Sequence, residues 1–259
     1  MSAPPTISWL TLLSADPELS VTFYRAMFGW QAVPLADGGG LVVSARDGVS
    51  VGFFRGLEHD LPGSAEPRRE GGWVPYFWMA DPAPALAAAV SAAASGGNSW
   101  LALDNGGARF GVTTEPARLP GARAHVELAT PNVDRAVAFY GALIDVKFDR
   151  VIGDDMDFVA MSRDNGGEPV GGIIDVGDLH RSQARPQWVP YFSATDVDAE
   201  AARALELGAL LRIPPANSPL DRYAVLADPT GAMFGLSNAQ YEEWPSHARF
   251  TEYPLSRQP

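Results

Sequence analysis

The chain has 259 residues, of which 46% are hydrophobic, 31 acidic and 19 basic, with four histidines and no cysteine. That length holds one large domain or two ordinary ones, each able to bury its own core. A net charge of −12 argues against a nucleic-acid surface, because phosphate backbones are held mostly by Lys and Arg, and it mildly favours cationic ligands. The missing cysteines remove disulfides, thiolate nucleophiles and thiolate metal sites. No apolar run approaches the ~20 residues of a membrane span. Met1 is followed by SAPPTISW, without the basic start and apolar core of a signal peptide, so the expected location is the cytoplasm, with no membrane partner.

Ile7 to Leu13 reads as a strand. Asp16-Pro17-Glu18 then supplies an N-cap, a proline at the first helical position and an acid in the first turn. This predicts a helix to about Met27, closed by Gly29 in a left-handed conformation. Three short strands follow in GWQAVPL, GGLVVSARDG and SVGFFRG, separated by Gly and Asp turns. After the loop LEHDLPGSAEPRREGG the cycle restarts. Trp73 to Met79 is a strand, Asp81-Pro82 caps a helix running through the alanines to about Ala94, and strands continue to Thr113.

The second half of the chain repeats the first. WVPYF occurs at Trp73 and again at Trp188, 115 positions on (188 − 73). TFYRAMFGW from Thr22 is echoed by AFYGALIDV from Ala138, and DNGGARFGVTT from Asp104 by DPTGAMFGLSN from Asp228. Three matched blocks in one order mean a duplicated domain. The expected boundaries are 1–118 and 119–240, joined by RLPGAR at 118–123, with a tail at 241–259. That tail either packs across a domain surface or is disordered. Each copy reads as βαβββ-βαβββ, an α+β class. GGG at Gly38 to Gly40 and the Gly166-Gly167 pair read as hairpin turns rather than phosphate loops.

The DPELSVTFY helix start at Asp16 to Tyr24, the block TPNVDRAVAFY and the terminal LADPTGAMFGLSN resemble the vicinal oxygen chelate superfamily, which includes glyoxalases, extradiol dioxygenases and bleomycin-binding proteins. More narrowly, the chain is similar to the tandem two-domain members common in actinobacteria. The resemblance implies a curved mixed sheet in each domain, with helices outside and a cavity on the concave face. Alternation along the strands then points Trp9, Thr11, Val74, Tyr76 and Trp78 into the first cavity. It points His125, Glu127, Val189, Tyr191 and Ser193 into the second, and turns Phe77 and Met79 towards the helices. Relatives hold a metal with His or Glu on the first and fifth strands and Glu on the terminal one. Here those positions read Trp9, Val74 and Gly111, then His125, Val189 and Gly235, so no cofactor is expected and a divalent metal is disfavoured.

Glycine at 111 and 235 would empty the cavities of side chains, while Trp9, Tyr76 and Trp78 add flat apolar surface suited to stacking. The leading expectation is a metal-independent binding or accessory protein for a small planar aromatic or antibiotic-like molecule, acting in antibiotic resistance or natural-product tailoring. Its ligand-binding residues would be Trp9, Thr11, Tyr76, Trp78, Gly111, Tyr191, Ser193 and Gly235. The alternative is a glyoxalase-, dioxygenase- or isomerase-type enzyme. His125 and Glu127, two apart on one strand, would then be its acid-base pair or share a metal with His180, Asp175 or Asp178. His59 and His247 read as surface residues. Because both copies share one chain, the particle is expected to be a monomer, its own pseudo-dimer.

Overall fold

A computed structural model describes residues 6–34, 41–44, 50–57, 60–61, 71–115, 125–152, 158–163, 169–176, 185–239, 246 and 249–253. Strand β1 (Ile7–Ser14) leads into helix α1 (Pro17–Phe28), then β2 (Gln31–Pro34), β3 (Leu41–Ser44) and β4 (Ser50–Gly56). A second unit follows with β5 (Gly72–Trp78), α2 (Ala83–Ala88), β6 (Ser91–Gly96), β7 (Ser99–Leu103) and β8 (Arg109–Thr113). The second half runs β9 (His125–Thr130), α3 (Val133–Gly141), β10 (Lys147–Val151), β11 (Phe158–Ser162) and β12 (Pro169–Asp175). It continues with β13 (Gln187–Ser193), α4 (Val197–Glu206), β14 (Leu210–Asn217), β15 (Arg222–Ala227) and β16 (Met233–Ser237), and β17 (Phe250–Glu252) lies in the tail. The architecture is α+β and dominated by sheet, as the sequence implies.

Local chemistry explains the helices. Asp16 accepts the Leu19 N–H at 2.9 Å, Pro17 opens α1, and Gly29 ends it at φ 71° with its N–H on the Arg25 carbonyl. Asn132 and Asp196 cap α3 and α4 in the same way. The long alanine helix expected to Ala94 is corrected: α2 stops at Ala88, and residues 91–96 form β6, with Ala92, Ala93 and Ala94 paired to Ala102, Leu101 and Trp100 of β7. No side chain of its N-cap holds α2, it has no acid in its first turn, and alanines offer no wide apolar stripe, so ladder pairing overrides their helix propensity.

In the first half, β1 lies between β4 (parallel) and β5 (antiparallel), and β5 pairs in parallel with β8. The second half repeats this with β9 between β12 and β13, and β13 against β16. The helix-side faces of the two halves merge into one apolar core. That core runs from Leu10, Leu12 and Phe54 through Tyr24 and Trp73 to Trp188, Phe192 and Phe234. Its centre repeats about a pseudo-twofold axis. Phe23 meets Phe234 at 5.7 Å as Phe139 meets Phe110 at 5.6 Å, and Phe77 meets Trp188 at 5.5 Å as Trp73 meets Phe192 at 5.7 Å. Phe77 is fully buried on the helix side of the sheet, where its ring meets Tyr140 of α3 and Trp188 of the other half.

Residues 249–253 of the tail pack on the second half. Strand β17 pairs with β10, and the Tyr253 hydroxyl donates to Asp134. Burial, with the Asp134 contact second, pushes that hydroxyl up to about 12. His59, Asp178, His180, His247, the 118–123 linker, the glycine turns at 38–40 and 166–167, and most of the tail lie outside the described residues.

Candidate ligand cavity

The concave face of the first half carries its own small apolar cluster, separate from the main core: Trp9, Leu13, Leu61, Val74, Tyr76 and Leu101. Strand register brings these residues together, since β1 sets Trp9 opposite Tyr76 and Thr11 opposite Val74. Between them lies a cavity of about 350 Å³, walled by Thr11, Leu13, Val74, Tyr76 and Leu101, with Ala93, Ala94 and Ser95 of β6 along one side and Arg55 and Asp60 on another. This volume sits at the small end of the ~300–1,000 Å³ typical of ligand pockets, and the lining mixes apolar side chains with a nearly equal polar surface from Thr11, Arg55, Asp60 and Ser95.

Tyr76 is the principal flat wall. Its ring stacks on Trp9 at 5.0 Å and 20°, and its hydroxyl donates to Ser95 at 3.1 Å. Burial pushes that hydroxyl up, with the Ser95 bond and the Arg55 charge pulling the other way. Trp9, 6% exposed, therefore backs the wall rather than lining the cavity. Trp78 ends β5, partly exposed, with its N–H on the Thr6 carbonyl, and lies outside the lining. Gly111 does not empty the cavity as the sequence suggested. A Cβ there would fall 2.3 Å from the Tyr76 ring, so the glycine exists to let that ring lie flat across β8. Gly235 does the same for Tyr191, at 2.2 Å.

The equivalent face of the second half is built differently. His125 and Glu127 project together from β9, Nε2 to Oε1 at 3.1 Å, with His125 buried and Glu127 at 13% side-chain exposure. Phe158 stacks beside the His125 ring at 6.3 Å and Tyr191 meets it edge-on at 6.1 Å. Tyr223 stands close by, its hydroxyl pushed up by burial and by the Glu127 and Asp221 charges. Ser193 is exposed at the end of β13, away from this group. Phe158, Val151 and Ala160, with Leu220 and Phe250 packed on them, occupy much of the face. Register equates Arg55 with Ile174, Thr11 with Glu127 and Trp9 with His125. The two halves thus carry their polar groups on different strands.

The sequence reading missed Arg55, Asp60, Arg109, Ser95 and Tyr223. Alternation along SVGFFRG, once β4 is set beside β1, is the signal that turns Arg55 inward with Thr11 and Leu13; nothing local marks the others.

A family model described as a glyoxalase-like domain matches residues 125–237. The anthracycline biosynthesis protein DauV of Streptomyces sp. (strain C5) is 30% identical, over 95% of this chain and 97% of its own. The chain belongs to the vicinal oxygen chelate superfamily. Solved structures with the same fold include the 2,3-dioxygenase LapB from Pseudomonas sp. KL28, with TM-score 0.61, 13% identity and 94% and 95% of the two chains covered. The Mn(II)-bound glyoxalase from Novosphingobium aromaticivorans also has TM-score 0.61, at 15% identity, with 95% and 86% covered.

The metal positions implied by the superfamily do not fit an ion here. Trp9, Val74 and Gly111 supply no side-chain donor. In the second half only His125 of the three does, and the ring of Tyr191 covers the backbone where the terminal carboxylate would start. Among the described residues no three His, Asp or Glu converge to hold a metal. No described helix is long and apolar enough to cross a membrane.

Proposed function

We propose that the protein binds a small planar aromatic molecule of the natural-product type in the first-half cavity, without a metal, and serves a tailoring step in the cytoplasm. The observation that carries this reading is the Tyr76 wall, a flat ring packed between Trp9, Gly111 and Ser95 and facing a cavity of mixed polar and apolar lining. Such a ring stacks on a planar ligand, at about 0.5–1.5 kcal/mol beyond the area buried. The name of DauV, an anthracycline biosynthesis protein that matches along nearly the whole chain, supports a polycyclic aromatic as the kind of molecule served.

A second reading rests on the His125–Glu127 bond. A histidine held by a carboxylate beside Tyr223 is a ready proton-transfer group, and the second half would then act on the molecule that the first half binds.

Calorimetric titration with 3-hydroxy-2-naphthoate tests the first reading. Wild type should bind it. Ala93→Phe, which fills the cavity from its β6 side, should abolish binding while the urea melt is unchanged. Equal binding by wild type and Ala93→Phe would remove the cavity from the function.

A further inference from the structure

Hydrogen-bond capacity around the cavity is unbalanced. Asp60 is the one acid among the described residues of its lining, and both of its oxygens are engaged. Its Oδ1 accepts from the Leu61 N–H at 2.8 Å and from Arg109 Nε at 2.7 Å, and its Oδ2 accepts from Arg109 Nη2. That ion pair is largely buried, with side-chain exposures of 6% and 12%, so Asp60 serves to neutralise Arg109.

Arg55 also lines the cavity. It projects from β4 opposite Leu13 of β1 and lies near enough to the Tyr76 hydroxyl for its charge to act on it. Among the described residues no carboxylate pairs with Arg55. Ser95 adds a further donor: its oxygen accepts the Tyr76 proton, which leaves its own proton to point elsewhere. Among the described residues the cavity therefore holds one guanidinium with no carboxylate on it and one hydroxyl proton free to point inward, and the carboxylate of its lining is engaged by Arg109. A partly desolvated cation beside apolar walls is costly until an anion meets it, and a guanidinium suits a planar, two-oxygen anion best.

We infer that the first-half cavity selects planar aromatic anions, seating an ionised carboxylate or phenolate on Arg55 and Ser95 while the ring lies against Tyr76. This rests on the binding reading above and specifies its ligand class. It also reverses the expectation from net charge. A chain at −12 favours cations on average, but the described residues of the cavity carry a net positive charge, Arg55 beside the neutral Arg109–Asp60 pair, and contact distance governs because exposed charges beyond about 8–10 Å are screened at physiological salt.

The test compares 3-hydroxy-2-naphthoate with its methyl ester, the same rings without the charge, by calorimetry on wild type, Arg55→Gln and Arg55→Lys. Wild type should prefer the acid by about 10- to 100-fold, the range of a charge-assisted contact. Arg55→Gln should reduce that preference to within about threefold, with ester affinity unchanged, and Arg55→Lys should retain part of it. Circular dichroism and urea melts of each variant establish folding, and Arg55 is only partly buried. Equal affinity for acid and ester in wild type, or an acid preference that survives Arg55→Gln, overturns the anion site and leaves the planar-ligand reading standing. Failure of wild type to bind either compound overturns both.

Discussion

Tyr140 on α3 donates its hydroxyl proton to Asp104 Oδ2 at 2.9 Å, tying the first helix of the second half to the last loop of the first half. The same oxygen of Tyr140 accepts from Trp188 Nε1 at 3.3 Å. Across the pseudo-twofold axis Tyr24 accepts from Trp73 Nε1 at 3.1 Å and lies beside Asp228, close enough for that charge to raise its hydroxyl. There the hydroxyl–carboxylate contact is looser: Asp228 Oδ2 makes no hydrogen bond of ordinary geometry among the described residues, yet it lies near enough to the Tyr24 hydroxyl for the two to act on each other as donor and acceptor. Trp73 and Trp188 themselves face each other in an antiparallel bridge joining the two sheets. Repetition of WVPYF thus places one indole from each half on the axis.

The broken symmetry has a measurable consequence. Tyr140→Phe strands two buried partners, Asp104 Oδ2 and Trp188 Nε1, and is expected to cost about 2–4 kcal/mol, whereas Tyr24→Phe strands Trp73 Nε1 and gives up only the looser contact to Asp228, and should cost about 1–2 kcal/mol. Urea melts of the two variants give the comparison. Equal losses would mean that the Tyr24–Asp228 contact is closed in solution.

Asp228 also predicts a pH dependence. Burial raises its carboxyl, while bonds from Thr230 and Ala232 pull it back in part. A folded value above the unfolded one of about 3.9 means that the folded chain holds this proton more tightly. The resulting stability is complete below about pH 3.9 and is lost as pH rises through the raised folded value. Asp228→Asn keeps an oxygen for the Thr230 and Ala232 donors and removes the titration. Its stability relative to wild type should therefore climb as urea melts move from pH 4 towards pH 8. A flat or falling difference would contradict the raised value.

The glycines beneath the tyrosines make a third test. Gly111→Ala places a methyl group 2.3 Å from the Tyr76 ring and is expected to cost about 1–3 kcal/mol through forced repacking. In a Tyr76→Ala background the same change should cost little, so the double-mutant cycle by urea melt should show coupling of at least about 1 kcal/mol. Gly235→Ala with Tyr191→Ala should behave alike. Additive losses would mean that the rings do not occupy those positions.

Oligomeric state follows from the same interface. Tyr24, Phe77, Trp73, Tyr140, Phe192 and Phe234 bury the helix-side faces of the two halves against each other, the contact that separate single-domain subunits would otherwise make between chains. Light scattering should give a mass near 27.6 kDa across micromolar concentrations. A stable mass of twice that value would show that a further surface is used.

Legibility in the sequence divides along the repeat itself. Positions where the two copies agree, Phe-Tyr at 23–24 and 139–140, WVPYF, Asp104 and Asp228, and the glycines at 111 and 235, are the helix pins, axis residues and ring seats shared by both halves. The capped start of α1 was equally readable, because Asp16 and Pro17 act locally. Positions where the copies differ, Trp9 against His125, Thr11 against Glu127 and Arg55 against Ile174, carry the separate chemistry of the two concave faces. Their neighbours come from strands tens of residues apart, so no local spacing marks Arg55, Asp60 and Arg109 as one group. The early end of α2 was hidden for a similar reason, since the ladder with β7 outweighs the propensity of an alanine run.

The His125–Glu127 pair sets the last prediction. Protein prepared without a histidine tag should carry far less than one equivalent of Ni, Zn, Fe or Mn by elemental analysis, since the other two positions of the superfamily's ligand set are Val189 and Gly235. His125→Ala should not change that content. It removes a buried ring that meets Phe158, Tyr191 and Glu127, so a stability loss of about 1–3 kcal/mol is expected, while affinity of the first-half cavity for 3-hydroxy-2-naphthoate stays within about twofold because additivity holds for sites without shared partners. Near-stoichiometric metal that disappears in His125→Ala would instead place a metal on β9, with its remaining ligands outside the described residues. Such a result would favour the enzymatic reading of the second half over simple polar lining.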